Sequence, residues 1–221
     1  MNQEHSHEHT VTGELICHLP YAVFSVAFAL IILSVMSAFT LAALHENLVL
    51  QGAELLFHSF HFMHIVFAAT GTIIAFCRFS KNIWMALLVG TISPTFFCML
   101  SDAILPYLGG RLLGVPMHFH ICFLSDTAKV IPFLFVGILN GFLMSRHHDS
   151  KLGLYAISSH AVHILVSSLA STFYLVSHGF TDWYVHIGIV FLFLIIAVVV
   201  PCTLSDVVVP LAVAKRLRKK K

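Results

Sequence analysis

Charge is what this chain has least of. Twelve basic and ten acidic side chains among 221 residues, 10% of the chain, are too few to coat a water-soluble domain of this size. The net charge of +2 exaggerates even this, because Lys215, Arg216, Arg218, Lys219, Lys220 and Lys221 supply half of the basic residues from one tail. A nucleic-acid binder with a basic face is therefore not expected, and the tail reads as a membrane-surface anchor. Cysteine is also sparse and odd in number: Cys17, Cys77, Cys98, Cys122 and Cys202 fall mostly in apolar runs, which points to free thiols and away from a disulfide framework. The opening MNQEHSHEHT lacks the basic segment of a secretory signal, and the first apolar run has no small-residue cleavage site, so no removed leader is expected. Neither HExxH nor GxSxG occurs, which removes the commonest signatures of zinc peptidases and serine hydrolases.

Apolar sequence fills the space that charge leaves. The chain is 58% hydrophobic with twenty Phe, and its mean hydropathy is +0.92. Runs long enough to cross a bilayer, about 20 residues each, lie near 20–44, 54–77, 83–107, 127–145, 152–177 and 184–213. The expected fold class is an all-α integral membrane protein of six transmembrane helices. Between the third and fourth runs, Gly109, Gly110, Gly114 and Pro116 break the pattern, so residues 108–119 are expected to form a connecting loop or a re-entrant segment. With six spans, Arg78, Lys81, Arg146, Lys151 and the basic tail share one side, which the positive-inside bias makes cytoplasmic together with both termini; Arg111 alone dissents. The identity of the membrane is not encoded.

The two halves repeat one another. His61-Phe-Met-His64-Ile precedes Cys98-Met-Leu-Ser101-Asp102 and Pro106; His160-Ala-Val-His163-Ile precedes Cys202-Thr-Leu-Ser205-Asp206 and Pro210. Trp84 follows His64 by 20 residues, as Trp183 follows His163. A weaker echo, Ile16-Cys17-His18-Leu19 against Ile121-Cys122-Phe123-Leu124, marks the unit starts. The expected organisation is a His-rich cytoplasmic tail (1–14), repeat 1 (15–107), the connection (108–119), repeat 2 (120–213) and a basic cytoplasmic tail (214–221). Three spans per unit make the second copy enter the membrane from the opposite side, an inverted-topology repeat of the kind transporters use.

The repeated words carry metal-capable groups into hydrocarbon, where an Asp costs about 2.5 to 3.5 kcal/mol at a helix centre. Histidines three apart share a helix face, so His61 with His64, and His160 with His163, can each clasp an ion, with Asp102 and Asp206 completing the sets. Two imidazoles and a carboxylate suit a divalent transition-metal ion, Zn, Fe, Mn, Co or Ni, and Cys98 and Cys202 would bias the choice toward softer ions. The inverted copies are expected to hold two like sites, one in each leaflet. Ser101 and Ser205 are secondary candidates that orient the neighbouring carboxylates. His58, His118, His120 and Asp126 thicken the outer side as a funnel or as solvated interfacial residues, with Lys129 placed to neutralise Asp126 across one turn. His5, His7 and His9, and less strongly His147-His148-Asp149, have the composition of exchangeable metal binders. Trp84 and Trp183 read as headgroup anchors, and Pro94, Pro106, Pro132, Pro201 and Pro210 as kinks.

Three function classes compete. A multi-pass transporter or channel for a divalent transition-metal cation, coupled to protons because imidazole and carboxylate must lose them to bind metal, accounts for both copies. Its partners are the lipid bilayer and the ion, with a homo-oligomer compatible. A membrane-embedded zinc hydrolase needs a single open site and leaves the second copy idle. A haem-b electron carrier uses the paired histidines and leaves the repeated Asp unexplained. The reading is a transporter more than an enzyme; histidine or aspartate that merely pairs helix to helix is the bland alternative.

Overall fold

In the computed structural model, which describes residues 11–42, 46–146 and 152–219, the long apolar runs close their backbone hydrogen bonds internally and become helices, as chains without water must. In chain order these are α1 (Val11–Ala42), α2 (Glu46–Cys77), α3 (Ile83–Met99), α4 (Leu105–Leu112), α5 (Cys122–Ser125), α6 (Thr127–Arg146), α7 (Leu152–Ser177), α8 (Ile187–Thr203) and α9 (Val209–Lys219). A π-helical turn, Leu100–Ile104, joins α3 to α4, and another, Leu204–Val208, joins α8 to α9. Six helical stretches are long and apolar enough to cross a membrane, and all six coincide with the runs read from the sequence. The His-rich segment with His5, His7 and His9, and His147-His148-Asp149, lie outside the described residues.

Outward faces are apolar and inward faces hold the polar groups. Phe24, Phe39, Trp84 and Leu112 are each more than 70% exposed, while Ser167, Ser168, Ser171 and Thr172 on α7 are fully buried. A water-soluble bundle would reverse this arrangement. The third span departs from expectation: it stays helical to Leu112, because Gly109 and Gly110 provide flat faces on which Phe193 and Met117 pack. Trp84 is exposed as an anchor should be, whereas Trp183 is only 4% exposed and packs within the protein, so the anchoring expectation fails for it.

The helices α2 and α7 lie side by side at the centre. Each also receives the first helix of the other half: α6 packs along α2, and α1 along α7. The α2–α6 approach is close because Gly137 and Gly141 present no side chain; a Cβ at Gly137 would stand 2.7 Å from the Val66 carbonyl. Thr70 Oγ1 uses that proximity to donate to the Gly137 carbonyl at 3.0 Å. The α2–α7 contact brings the two HxxH words face to face.

Candidate metal centre

Each π-helical turn follows from the proline that ends its motif. Proline has no N–H, and its ring crowds the carbonyl four residues back, so a wider turn before it relieves the clash. The Leu105 N–H reaches back to the Leu100 carbonyl, and Val209 N–H to Leu204, leaving the carbonyls of Ser101 and Ser205 with no helical donor. The opposite half supplies one in both cases. Ser171 Oγ donates to the Ser101 carbonyl at 3.0 Å, and Thr72 Oγ1 to the Ser205 carbonyl at 3.0 Å, with Ser93 Oγ adding a second bond there at 3.3 Å. Residues 72 and 171 are as far apart as 64 and 163, so these two bonds are copies of each other. The duplication thus extends to how the halves grip one another.

The same turns aim Ser101-Asp102 and Ser205-Asp206 at the central helices. Asp102 Oδ2 accepts from His61 Nδ1 at 2.8 Å and from His64 Nδ1 at 2.7 Å. Its other oxygen accepts from Ser101 Oγ at 2.7 Å and Ser167 Oγ at 3.0 Å. In the second copy Asp206 Oδ2 accepts from His163 Nδ1, and His160 Nδ1 stands 3.8 Å away. All six residues expected as ligands are therefore brought together, but not as two sites in separate leaflets. His64 Nε2 lies 2.7 Å from His163 Nε2, so the two sets meet and form one line: His61, Asp102, His64, His163, Asp206, His160. The expected separation by depth fails because α2 and α7 pack directly and place the inner histidine of each word at their contact.

The bonds to the two carboxylates orient the imidazoles. An ionised carboxylate only accepts, so the Nδ1 atoms of His64 and His163 carry hydrogen and their Nε2 atoms carry lone pairs. Two lone pairs facing each other at hydrogen-bonding distance repel unless a cation, a proton or a metal ion, lies between them. A thiol flanks this point: Cys202 Sγ is 3.6 Å from His64 Nε2. His64, His163 and Cys202 hold their ligand atoms within 4.8 Å of one another, as do His160, His163 and Asp206, so the two groups share His163.

The secondary candidates divide. Ser101 orients Asp102 as expected, whereas buried Ser205 Oγ and Asp206 Oδ1 have no hydrogen-bond partner among the described residues. Asp126 pairs with Lys129 at 2.6 Å; that bond and one from Ser125 hold its carboxyl below the ordinary range. His118 is exposed, while His58 and His120 approach Cys122. All five cysteines are free thiols.

Sequence reasoning missed Ser167, Ser171 and Thr72, and used His18 only to mark a repeat. His18 is buried, donates from Nδ1 to the Glu14 carbonyl at 2.6 Å, and meets His160 edge-to-face with ring centroids 4.9 Å apart, which prolongs the line. The matching hydroxyls at 72 and 171 were visible in the repeat register. Their acceptors were not, since those are backbone carbonyls freed by a proline elsewhere in the chain. No protein-family model matches the chain, and no match is found among curated proteins or solved structures.

Proposed function

We propose that this chain is a multi-pass membrane transporter for a divalent transition-metal cation, passed along the line from His61, Asp102 and His64 to His163, Asp206 and His160. The single observation that carries this reading is the facing pair of imidazole nitrogens, each backed by its own carboxylate, with the Cys202 thiol beside them. A carboxylate behind a histidine is the arrangement that orients and strengthens a metal-binding imidazole. The two neighbouring ligand groups have His163 in common, so an ion leaving the first would find the second beside it once the His163 Nδ1 proton is released.

The mixed nitrogen, sulfur and oxygen donors favour zinc and softer divalent ions over manganese. Three spans per copy reverse the second copy relative to the first, and rocking of the two halves about the α2–α7 contact would open the line to each side in turn. The basic side is cytoplasmic in this reading. Arg78, Lys81 and Arg146 line one common cavity, in keeping with a single basic end.

The competing classes fit less well. His64 and His163 are in contact, which leaves no room for a haem macrocycle between them. Five of the six line residues are at most 3% exposed, which offers no surface to a lipid or peptide substrate.

One observation does favour a second reading, proton conduction along the same line. Zinc bonds of about 2.0–2.1 Å in tetrahedral geometry keep two nitrogens roughly 3.3 Å apart, whereas a shared proton matches 2.7 Å as it stands. Proteoliposomes loaded with a metal-sensitive or a pH-sensitive dye separate the two. Zinc-dependent flux that falls at least tenfold in His64→Ala and His163→Ala supports metal transport; proton flux unaffected by zinc supports the second reading. If neither flux exists in the wild type, or both persist in the two variants, the line carries no cation.

A further inference from the structure

We propose that His58, His120 and Cys122 form a second metal site, distinct from the His64–His163 centre, that takes a thiophilic divalent cation such as Zn²⁺. Their ligand atoms lie within 4.8 Å of one another although they come from three different segments: α2, the extended stretch before α5, and the first turn of α5. Chance proximity of flexible side chains is a poor account, because the backbone under them is pinned. The Tyr174 hydroxyl accepts from the His120 N–H and donates to the His120 carbonyl, both at 3.2 Å, and His118 N–H donates to the His178 carbonyl at 3.0 Å.

The imidazoles are oriented as ligands. His58 Nδ1–H donates to the Glu54 carbonyl at 2.9 Å, which leaves its Nε2 lone pair free. His120 Nε2 lies 3.2 Å from Ser125 Oγ and 3.7 Å from Asp126 Oδ2, so one ring nitrogen has outer partners and the other is available to an ion. Cys122 is 3% exposed and supplies a shielded sulfur, while His120 is 32% exposed and admits the ion from solvent. Two nitrogens and one sulfur leave a fourth tetrahedral position for water, the pattern of an exchangeable site and not of a closed structural one.

Phe57 separates this site from the centre. It is fully buried, its ring lies 5.0 Å from that of His58 and 5.5 Å from that of His61, and it meets Tyr174 edge-on at 5.1 Å. An ion held by His58 would be one helical turn from His61 with an aromatic ring between them. On the reading of the chain as a metal transporter, this site would collect the ion; the site itself does not depend on that reading.

The test uses the full chain purified in detergent and titrated with Co²⁺, whose thiolate charge-transfer band in the near ultraviolet reports sulfur ligation. In a Cys98→Ser/Cys202→Ser chain the band is expected to persist, and adding Cys122→Ser should abolish it while His58→Gln weakens Co²⁺ binding at least tenfold. If the double variant shows no band, or if Cys122→Ser leaves the band intact in that background, the proposal is wrong. Failure of the central site would look different: wild type would then bind one equivalent of thiolate-ligated Co²⁺, with a band insensitive to Cys202→Ser. Gel filtration of each variant separates lost ligation from lost fold, and His58→Gln reads the site with the cysteine intact.

Discussion

The two copies of the His/His/Asp set share a geometry but not a setting. In the first, Asp102 accepts four hydrogen bonds, from His61, His64, Ser101 and Ser167, and is fully buried. In the second, Asp206 accepts from His163, has one orphaned oxygen, and borders a His160 that is 33% exposed. The first copy is sealed and satisfied; the second is open and short of donors. Duplication reproduces what depends on the local word, namely the turn, the Asp and the facing histidines. It does not reproduce what depends on the neighbouring helix: Ser167 supplies a donor to Asp102, while the matching residue of the first copy is Ala68. A buried orphan oxygen is a natural place for an ion, so on the proposed reading the second copy is the half expected to bind it.

The largest test of that contrast is removal of each carboxylate. Asp102→Ala strands four buried donors and should cost about 3 to 5 kcal/mol; Asp206→Ala should cost at least about 1 kcal/mol less, read by thermal unfolding in detergent. Equal losses would erase the distinction. Gly71→Ala comes next. A Cβ there would stand 2.7 Å from Asp206 Oδ2, so the carboxylate must move, and metal affinity is expected to fall about tenfold by calorimetry. The matching position in the second half already carries a Cβ, as Ala170, so Ala170→Gly should leave affinity unchanged.

Smaller effects probe the donors themselves. Ser167→Ala should destabilise by about 1 kcal/mol, and Ala68→Ser should return a similar amount if the repeat register holds, making the two carboxylates alike. Equal to these or smaller are the effects at the freed carbonyls. Ser171→Ala should cost about 1 kcal/mol, and Thr72→Val less, because Ser93 still reaches the Ser205 carbonyl. A larger loss in Thr72→Val would mean that the two halves are not gripped in the same way.

Much of this was legible in the residues. The six spans followed from apolar runs, since each must hide its own backbone. The metal-capable residues followed from the repeated His and Asp, which cost too much in an apolar run to stand without partners, but they were expected as two separate sites. Lys129 was placed correctly on Asp126 because a helix brings residues three apart together. Trp183 was misjudged because tryptophan at a span end is an anchor only if its ring faces outward, and packing turned this one inward. The glycines at 109 and 110 were read as breakers, yet a helix keeps glycine where neighbours press against it.

By itself, then, the sequence determined which groups the protein works with: periodicity sets helix faces, hydropathy sets spans, and duplication marks the polar words that recur. Only the tertiary structure decided that the two words make one line. Whether His64 meets His163 depends on how α2 and α7 pack, and each of these helices is in turn tied by a hydroxyl to the freed carbonyl of the other half's π-helical turn, from segments far apart in the chain.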